Sequence, residues 1–334
     1  NQLYFLPHPE PSSVLSRANC CAVVFGLDEP VVFPGVWISN ACRDLLTDCT
    51  VIENMPGDPP PEEQLLAYLR KVGFNRVIVD QPELLGALRG QIEGCEVECK
   101  DLGTEIRRRK DARDLEHMRE SARIADLGMT AAFAAIRPGL SCLDVIAEGE
   151  YAMLKAGAED ATMAPAVGEG TFYLDSAENP RRIIREGDMI FIDMAIHVRG
   201  YLGDMTRTGI VGEGTQEQRD ILETVQRAHR TGAGAMCLGA DGADIYRQVV
   251  ACFAERGWKE YYVHHLSHGL GLGGDLPRIG SAAADVLQVG DALSCEPGVY
   301  IPGLGGARVE NMIYVGENGP EELTQCPLDL PMDL

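Results

Sequence analysis

The chain has 334 residues, of which 45% are hydrophobic and 24% are charged, and its formal net charge is −22. This length allows one large or two ordinary domains, and it favours two. The negative charge argues against binding to nucleic acid or to an anionic membrane. No run approaches about 18 apolar residues, so no membrane span is predicted.

The start of the chain and its cysteines predict a cytoplasmic protein. The first residues lack the basic and apolar regions of a signal peptide. The 11 cysteines are odd in number and contain no CxxC pair, so we expect reduced, mostly buried thiols. Cys95 and Cys99 have no second pair with which to bind zinc.

Residues 1–103 have the pattern of a small α/β domain. The segment Pro61–Lys71 starts with a proline and acids and ends with cations, which predicts a helix. Short apolar runs around it predict strands. These runs are Cys21–Phe25, Val31–Phe33 and Val77–Val79.

The second domain, 104–334, contains an internal duplication. Helix caps are predicted at Ser141 and Asp241, and closing glycines at Gly157 and Gly257, each pair 100 residues apart. A Gly-Asp turn and a short apolar strand follow in each copy. We therefore predict an α+β domain built from two copies of helix, helix, strand, strand, related by a pseudo-twofold axis.

Each copy delivers two acids from a short hairpin. Asp193 is predicted to follow the strand at 189–192, and Asp204 lies 11 residues later, across a turn with two glycines. Glu296 and Glu310 are 14 residues apart across a turn rich in glycine and proline. A buried, unpaired carboxylate costs several kcal/mol or takes up a proton. Four inward acids therefore predict a cation between them.

The histidine-rich segment 264–274, HHLSHGLGLGG, lies between the two acid pairs. His268 stands beside glycines, where the backbone can approach closely, so it can join the carboxylates on a cation. One imidazole and four carboxylates suit two divalent cations, with Mn²⁺ favoured and Co²⁺, Fe²⁺ or Zn²⁺ as alternatives. His265 is expected to be structural.

These segments resemble the pita-bread metallopeptidases, in the branch that contains aminopeptidase P, prolidase and creatinase. The motifs that carry the likeness are FIDMAIHVRGYLGDMTRT, HHLSHGLGLGG and SCEPGVYIPGLGGARVEN. The resemblance implies a pita-bread catalytic domain at 104–334. It also implies a smaller creatinase-like α/β domain at 1–103, which we expect to lack its first segment. Members of this branch are commonly dimeric, which implies a homodimer.

The resemblance also implies metal ligands. Asp193 would bind one cation, His268 and Glu296 would bind the other, and Asp204 and Glu310 would bridge the two. The cations would activate a shared water and polarise the substrate's carbonyl group.

Catalytic and substrate-binding roles are implied in the same way. Glu296 would take the proton of the water and pass it to the leaving nitrogen. His264 would donate to the substrate or its oxyanion. Arg308 matches a family arginine near the site, and we expect it to contact the substrate.

Two positions depart from the family pattern. Asp175 and Asp275 stand where the family has histidines that face the substrate. Extra carboxylates there would repel a substrate carboxylate and favour a cation or a polar amine. The alternative is that both are ordinary loop acids.

Three functions stay open. The first is a metal-dependent hydrolase that cleaves Xaa-Pro amide bonds in small peptides. The second is a non-peptidase member that acts on a small, cationic metabolite, as creatinase, ectoine hydrolase and dimethylsulfoniopropionate lyase act on theirs. The third is an inactive binding module, and the retention of all five ligands counts against it.

Overall fold

A computed structural model describes most of the chain. The described residues are 22–24, 28–35, 39, 43–44, 46–79, 82–101, 103–172, 181–273, 275–329 and 332. The chain divides into two compact units, Asn1–Gly103 and Thr104–Leu334. Within the described ranges, none of the helices is both long enough and apolar enough to cross a membrane.

The described part of the first unit includes two small sheets and the helices Pro61–Val72 and Pro82–Leu88. One sheet has the order β1-β2-β3, formed by Ala22–Val24, Val31–Phe33 and Thr50–Val51. The other pairs β4 and β5 in parallel, formed by Arg76–Val79 and Glu96–Cys99. The strands predicted at Val31–Phe33 and Val77–Val79 are confirmed. Of the strand predicted at Cys21–Phe25, both end residues lie outside the described residues.

Helix α1 spans Pro61–Val72 and confirms the helix prediction. Its first turn carries acids, its last turn carries cations, and Gly73 ends it with a φ of 78°. Leu65 and Leu69 on its inner face are buried against the strands. A shorter helix, α2, follows at Pro82–Leu88.

The first half of the second unit packs helices on one antiparallel sheet. The short helix α3 (Gly103–Arg108) comes first, and the helices that lie on the sheet are α4 (Ala112–Ala135) and α5 (Cys142–Ala156). The sheet has the order β6-β7-β8, formed by Asp160–Val167, Met189–Val198 and Tyr201–Ile210. A two-residue turn joins β7 to β8, and both of its residues, Arg199 and Gly200, have positive φ. The sequence had predicted that Asp193 follows a short strand at 189–192. In the structure Asp193 lies inside the longer strand β7.

The second half repeats this arrangement. Its helices are α6 (Gln216–Ala235) and α7 (Gly242–Ala254). Its main sheet has the order β10-β9-β11-β14-β15, and β12 pairs with β13 beside it. These strands are β9 (Ser267–Gly269), β10 (Asp275–Ile279), β11 (Ala292–Cys295), β12 (Gly298–Ile301), β13 (Gly305–Arg308), β14 (Asn311–Gly316) and β15 (Gly319–Glu322).

Backbone hydrogen bonds repeat between the two halves. Ile184 donates to the carbonyl of Leu140 across 2.9 Å, and Leu287 donates to that of Ala240 across 3.0 Å. Isolated bridges repeat as well, between Ser141 and Ile183 and between Asp241 and Val286. The predicted duplication is thus present in the backbone.

The predicted closing glycines also repeat. Gly157 and Gly257 have φ values of 109° and 74°. In both copies the amide of the glycine and the amide that follows it donate to carbonyls three and five residues earlier, across 2.9–3.2 Å. Helix α7 itself ends at Ala254, and Gly257 closes the turn that caps it, so the same C-cap recurs 100 residues apart.

The two halves meet where β8 approaches β14. The amide of Glu310 donates to the carbonyl of Thr206 across 3.0 Å. Arg207, which is fully buried, donates from Nη1 to the carbonyl of Glu310 across 2.6 Å. This junction fixes the acids of one copy against those of the other.

Candidate metal centre

Strand register places the acids of the first copy. Asp193 lies opposite Thr206 in the β7–β8 hairpin, and Asp204 lies opposite Ala195. Residues opposite each other, and residues two apart on one strand, share a face of the sheet. Asp193 and Asp204 therefore project from the same face.

The second sheet supplies the other acids and the imidazole. Cys295 pairs with Asn311, so their outer neighbours Glu296 and Glu310 lie side by side. His268 is the middle residue of β9, which neighbours β11 in the same sheet.

The ring of His268 lies between three carboxylates. Its Nε2 is 3.4 Å from Oδ2 of Asp204, 3.3 Å from Oε1 of Glu296 and 3.9 Å from Oε1 of Glu310. Its Nδ1 is 3.3 Å from the carbonyl oxygen of Gly269, which favours a proton on Nδ1 and a free lone pair on Nε2. Potential ligand atoms of Asp204, His268 and Glu310 all lie within 4.8 Å of one another.

Asp193 lies beside this cluster and has other partners. Its Oδ2 accepts from Nη2 of Arg308 across 2.6 Å, and its Oδ1 is 3.0 Å from the hydroxyl of Thr206. The same hydroxyl is 2.9 Å from Oε2 of Glu310. The hydroxyl of Thr206 thus links Asp193 to Glu310, and the role of Asp193 as a metal ligand stays a prediction.

The cluster concentrates negative charge out of water. Burial raises the pKa of Asp204 well above its ordinary value, and repulsion from Asp193 and Glu296 adds to the rise. Burial, followed by repulsion from Asp204, raises the pKa of Glu310 in the same way. Oε1 of Glu310 is buried and has no hydrogen-bond partner among the described residues. A divalent cation would supply that partner, so the residues present fit the metal ions that the family resemblance implies.

Glu296 has a different electrostatic environment. Its Oε1 lies 3.1 Å from the hydroxyl of Ser294 and 3.1 Å from Nε2 of His265. Burial works to raise the pKa of Glu296, but the hydrogen bond from His265 and the nearby imidazoles hold it below its ordinary value. The sequence had suggested a structural role for His265, yet its ring reaches a predicted ligand.

His264 belongs to a hydrogen-bonded chain. Its Nδ1 lies 2.7 Å from the carbonyl oxygen of His265, and its Nε2 lies 3.0 Å from the hydroxyl of Tyr300. Burial lowers the pKa of His264, so the ring is neutral and donates from Nδ1. Nε2 therefore accepts from Tyr300, whose oxygen in turn accepts from Nη1 of Arg308 across 3.0 Å.

Sequence reasoning missed Tyr300. It lies on β12 opposite Gly306, and Arg308 lies opposite Gly298 on the same strand pair. Strand alternation places Tyr300 and Arg308 on one face, but only the register of this hairpin reveals it. Burial raises the pKa of Tyr300 to about 12, so its hydroxyl keeps its proton.

The structure describes the side chain of only one of the three predicted substrate-binding residues. The guanidinium of Arg308 contacts Asp193, Tyr300 and the hydroxyl of Thr206, and its contact with a substrate stays a prediction. Asp275 pairs through its backbone with Gly269 at the start of β10, and its side chain lies outside what the structure describes. Asp175 lies outside the described residues.

The fold and the cluster together define a class of protein. A duplicated α+β domain whose halves meet at carboxylates and an imidazole has the pita-bread fold of the metallopeptidases. Residues 116–317 match metallopeptidase family M24, and the chain belongs to that family. The predicted family and fold class are therefore confirmed.

Named relatives agree with this assignment. The chain is 31% identical over 223 residues to the putative dipeptidase YkvY of Bacillus subtilis strain 168, across 66% of this chain and 61% of that protein. It is 32% identical over 233 residues to the Xaa-Pro dipeptidase of Pyrococcus furiosus, across 69% and 67% of the two chains. The match thus spans only about three fifths of the length of YkvY.

A solved structure shows the same fold. The prolidase from Pyrococcus horikoshii OT3 superposes with a TM-score of 0.83 at 23% identity, over 93% of this chain and 89% of that chain.

Proposed function

We propose that this protein is a dinuclear metal-dependent hydrolase that cleaves the amide bond of small Xaa-Pro peptides. The observation that carries the proposal is the buried Oε1 of Glu310, which has no hydrogen-bond partner among the described residues and lies among other carboxylates around His268. That oxygen has no stabilising partner among the described residues until a cation binds.

The metal-binding residues in this proposal are Asp193, Asp204, His268, Glu296 and Glu310. Two divalent cations, when bound, lower the pKa of a water molecule and polarise a carbonyl group. The preference for Mn²⁺ follows from four carboxylates and one imidazole. The proposal takes residues 104–334 as the catalytic domain and 1–103 as the creatinase-like domain of a cytoplasmic homodimer.

The chain's own residues would move the protons. Glu296 is the proposed proton acceptor, because its carboxylate is held ionised beside imidazoles. His264 is the proposed donor to the substrate or its oxyanion. Because its Nε2 accepts from Tyr300 here, His264 would first have to gain a proton or exchange that partner.

A second candidate function rests on Asp175 and Asp275. These acids replace expected histidines, which favours a small cationic or polar substrate over a peptide with a free carboxylate. A non-peptidase hydrolase of the same family is therefore the alternative. The inactive module is disfavoured, because its buried carboxylates would lack a cation to offset their charge.

Assay of an Xaa-Pro dipeptide panel with and without added Mn²⁺ tests the proposal. We expect hydrolysis that a chelator abolishes and Mn²⁺ restores. Metal uptake without dipeptide hydrolysis would favour the second candidate, and the absence of divalent metal binding would refute both. Asp275→His should raise activity on proline dipeptides if Asp275 disfavours the substrate's carboxylate.

A further inference from the structure

His265 is the residue near the acid cluster that no role yet explains. Its side chain is 52% exposed, whereas that of Glu296 is 11% exposed, so the ring lies at the mouth of the cluster. Potential ligand atoms of His265, His268 and Glu296 all lie within 4.8 Å of one another. This group shares His268 with the group formed by His268, Asp204 and Glu310.

We propose that His265 is a second imidazole ligand, which gives the cation position at Glu296 a preference for Zn²⁺ over Mn²⁺. The inference rests on the proposed function, because it concerns the same cluster. It changes the predicted metal, since a position with two imidazoles and one carboxylate has a donor set common in zinc sites.

The distances support ligation. Oε1 of Glu296 lies 3.1 Å from Nε2 of His265 and 3.3 Å from Nε2 of His268. Zinc bonds of about 2.0–2.1 Å arranged tetrahedrally separate neighbouring ligand atoms by about 3.4 Å. Each nitrogen therefore lies near the distance from the shared oxygen that one zinc ion requires, and the ligand atoms of the three residues stay within 4.8 Å of one another.

The backbone of His265 is held in place from two sides. Its carbonyl oxygen is 2.7 Å from Nδ1 of His264. On the other side it packs against Gly280, where an added Cβ would come within 3.0 Å of the Cβ of His265. Fixed backbone at both contacts limits the positions open to the ring, as a preformed ligand requires.

The alternative is that His265 only orients Glu296 by donating a hydrogen bond. Two substitutions separate these roles. His265→Gln keeps an N–H donor that can reach Glu296 but removes the imidazole, and His265→Leu removes both. His117→Gln is the matched control, because the half-buried ring of His117 packs on Tyr201 in the same unit.

The experiment is a competitive titration of the metal-free protein with Zn²⁺ and Mn²⁺, with X-ray absorption to count imidazoles on bound zinc. Loss of this ligand should weaken Zn²⁺ binding about a hundredfold in both His265 variants. That is the largest loss of metal affinity expected when a residue that only orients a ligand is removed. Mn²⁺ affinity should change much less, one imidazole should disappear from the zinc spectrum, and His117→Gln should match the wild type.

Two outcomes would overturn the inference. Wild-type Zn²⁺ affinity in His265→Gln, with loss only in His265→Leu, would make His265 a positioning residue. An unchanged imidazole count would exclude ligation. Failure of the wild-type protein to bind any divalent cation would instead refute the proposed function, so the two failures are distinguishable.

Discussion

Nη2 of Arg308 donates to Oδ2 of Asp193 across 2.6 Å, which joins a strand of the second copy to a strand of the first. Both side chains lie at the acid cluster, and the side chain of Arg308 is only 11% exposed. Asp193 therefore has a cationic partner from the protein itself, beside the cations proposed for the site. This pair motivates the first prediction.

Replacing Arg308 with methionine should reduce kcat on an Xaa-Pro dipeptide by about 10- to 100-fold, because Asp193 would lose the contact that orients it. Steady-state kinetics with metal content measured by mass spectrometry checks this. Arg119→Met is the matched control, because Arg119 forms an exposed ion pair with Glu321. Unchanged kcat in the Arg308 variant would contradict an orienting role.

Replacing Glu310 with glutamine should separate stability from metal binding. Without metal, the variant should be at least as stable as the wild type, because it removes a buried carboxylate whose Oε1 has no described partner. Mn²⁺ at 100 times its Kd should stabilise the wild type by about 2.7 kcal/mol and the variant by much less. Thermal unfolding with chelator or Mn²⁺ measures both, with Glu321→Gln at the exposed ion pair as control. Equal stabilisation of variant and wild type would exclude Glu310 as a ligand.

Replacing Tyr300 with phenylalanine should lower kcat by about tenfold or more, because His264 and Arg308 lose the hydroxyl between them and a broken buried hydrogen bond costs about 1–3 kcal/mol. The ring should keep its contact with Phe191, whose centroid is 6.3 Å away. Kinetics on the same dipeptide tests this, and Tyr151→Phe on the exposed face of α5 is the control. If the two variants behave alike, the hydroxyl has no role in the reaction.

Replacing His229 with leucine should change how stability depends on pH. Burial lowers the pKa of His229 to about 3, and neither ring nitrogen has a hydrogen-bond partner among the described residues. The unfolded chain takes up a proton near pH 6.5 and the folded chain does not, so stability falls as pH drops below 6.5. Between pH 7 and pH 5 this one group should remove about 2 kcal/mol.

Denaturant unfolding of the wild type and of His229→Leu at pH 7 and pH 5 measures this effect. The loss on acidification should be smaller in the variant by that amount. A parallel decline in both proteins would show that other groups set the acid sensitivity.

Local signals in the sequence predicted the elements well. The capping box at Ser141 and the acids and cations of α1 act within a few residues, so their consequences can be inferred without knowing the fold. The duplication could also be predicted, because it repeats residue types at a fixed spacing. The closing glycine of α7 followed from the same repeat, because the amides of Gly257 and Trp258 complete a C-cap like the one at the end of α5.

Residue order is enough to predict that two similar halves each carry a pair of acids, with a histidine between them that could join them on a cation. Spacing and alternation suffice for that, because they are properties of one strand or one turn. Other contacts appear only in the folded chain. Arg308 contacts Asp193, and Tyr300 lies between Arg308 and His264. His265 reaches Glu296. Those contacts depend on the register of separate strands and on how the halves meet, and no local pattern encodes either.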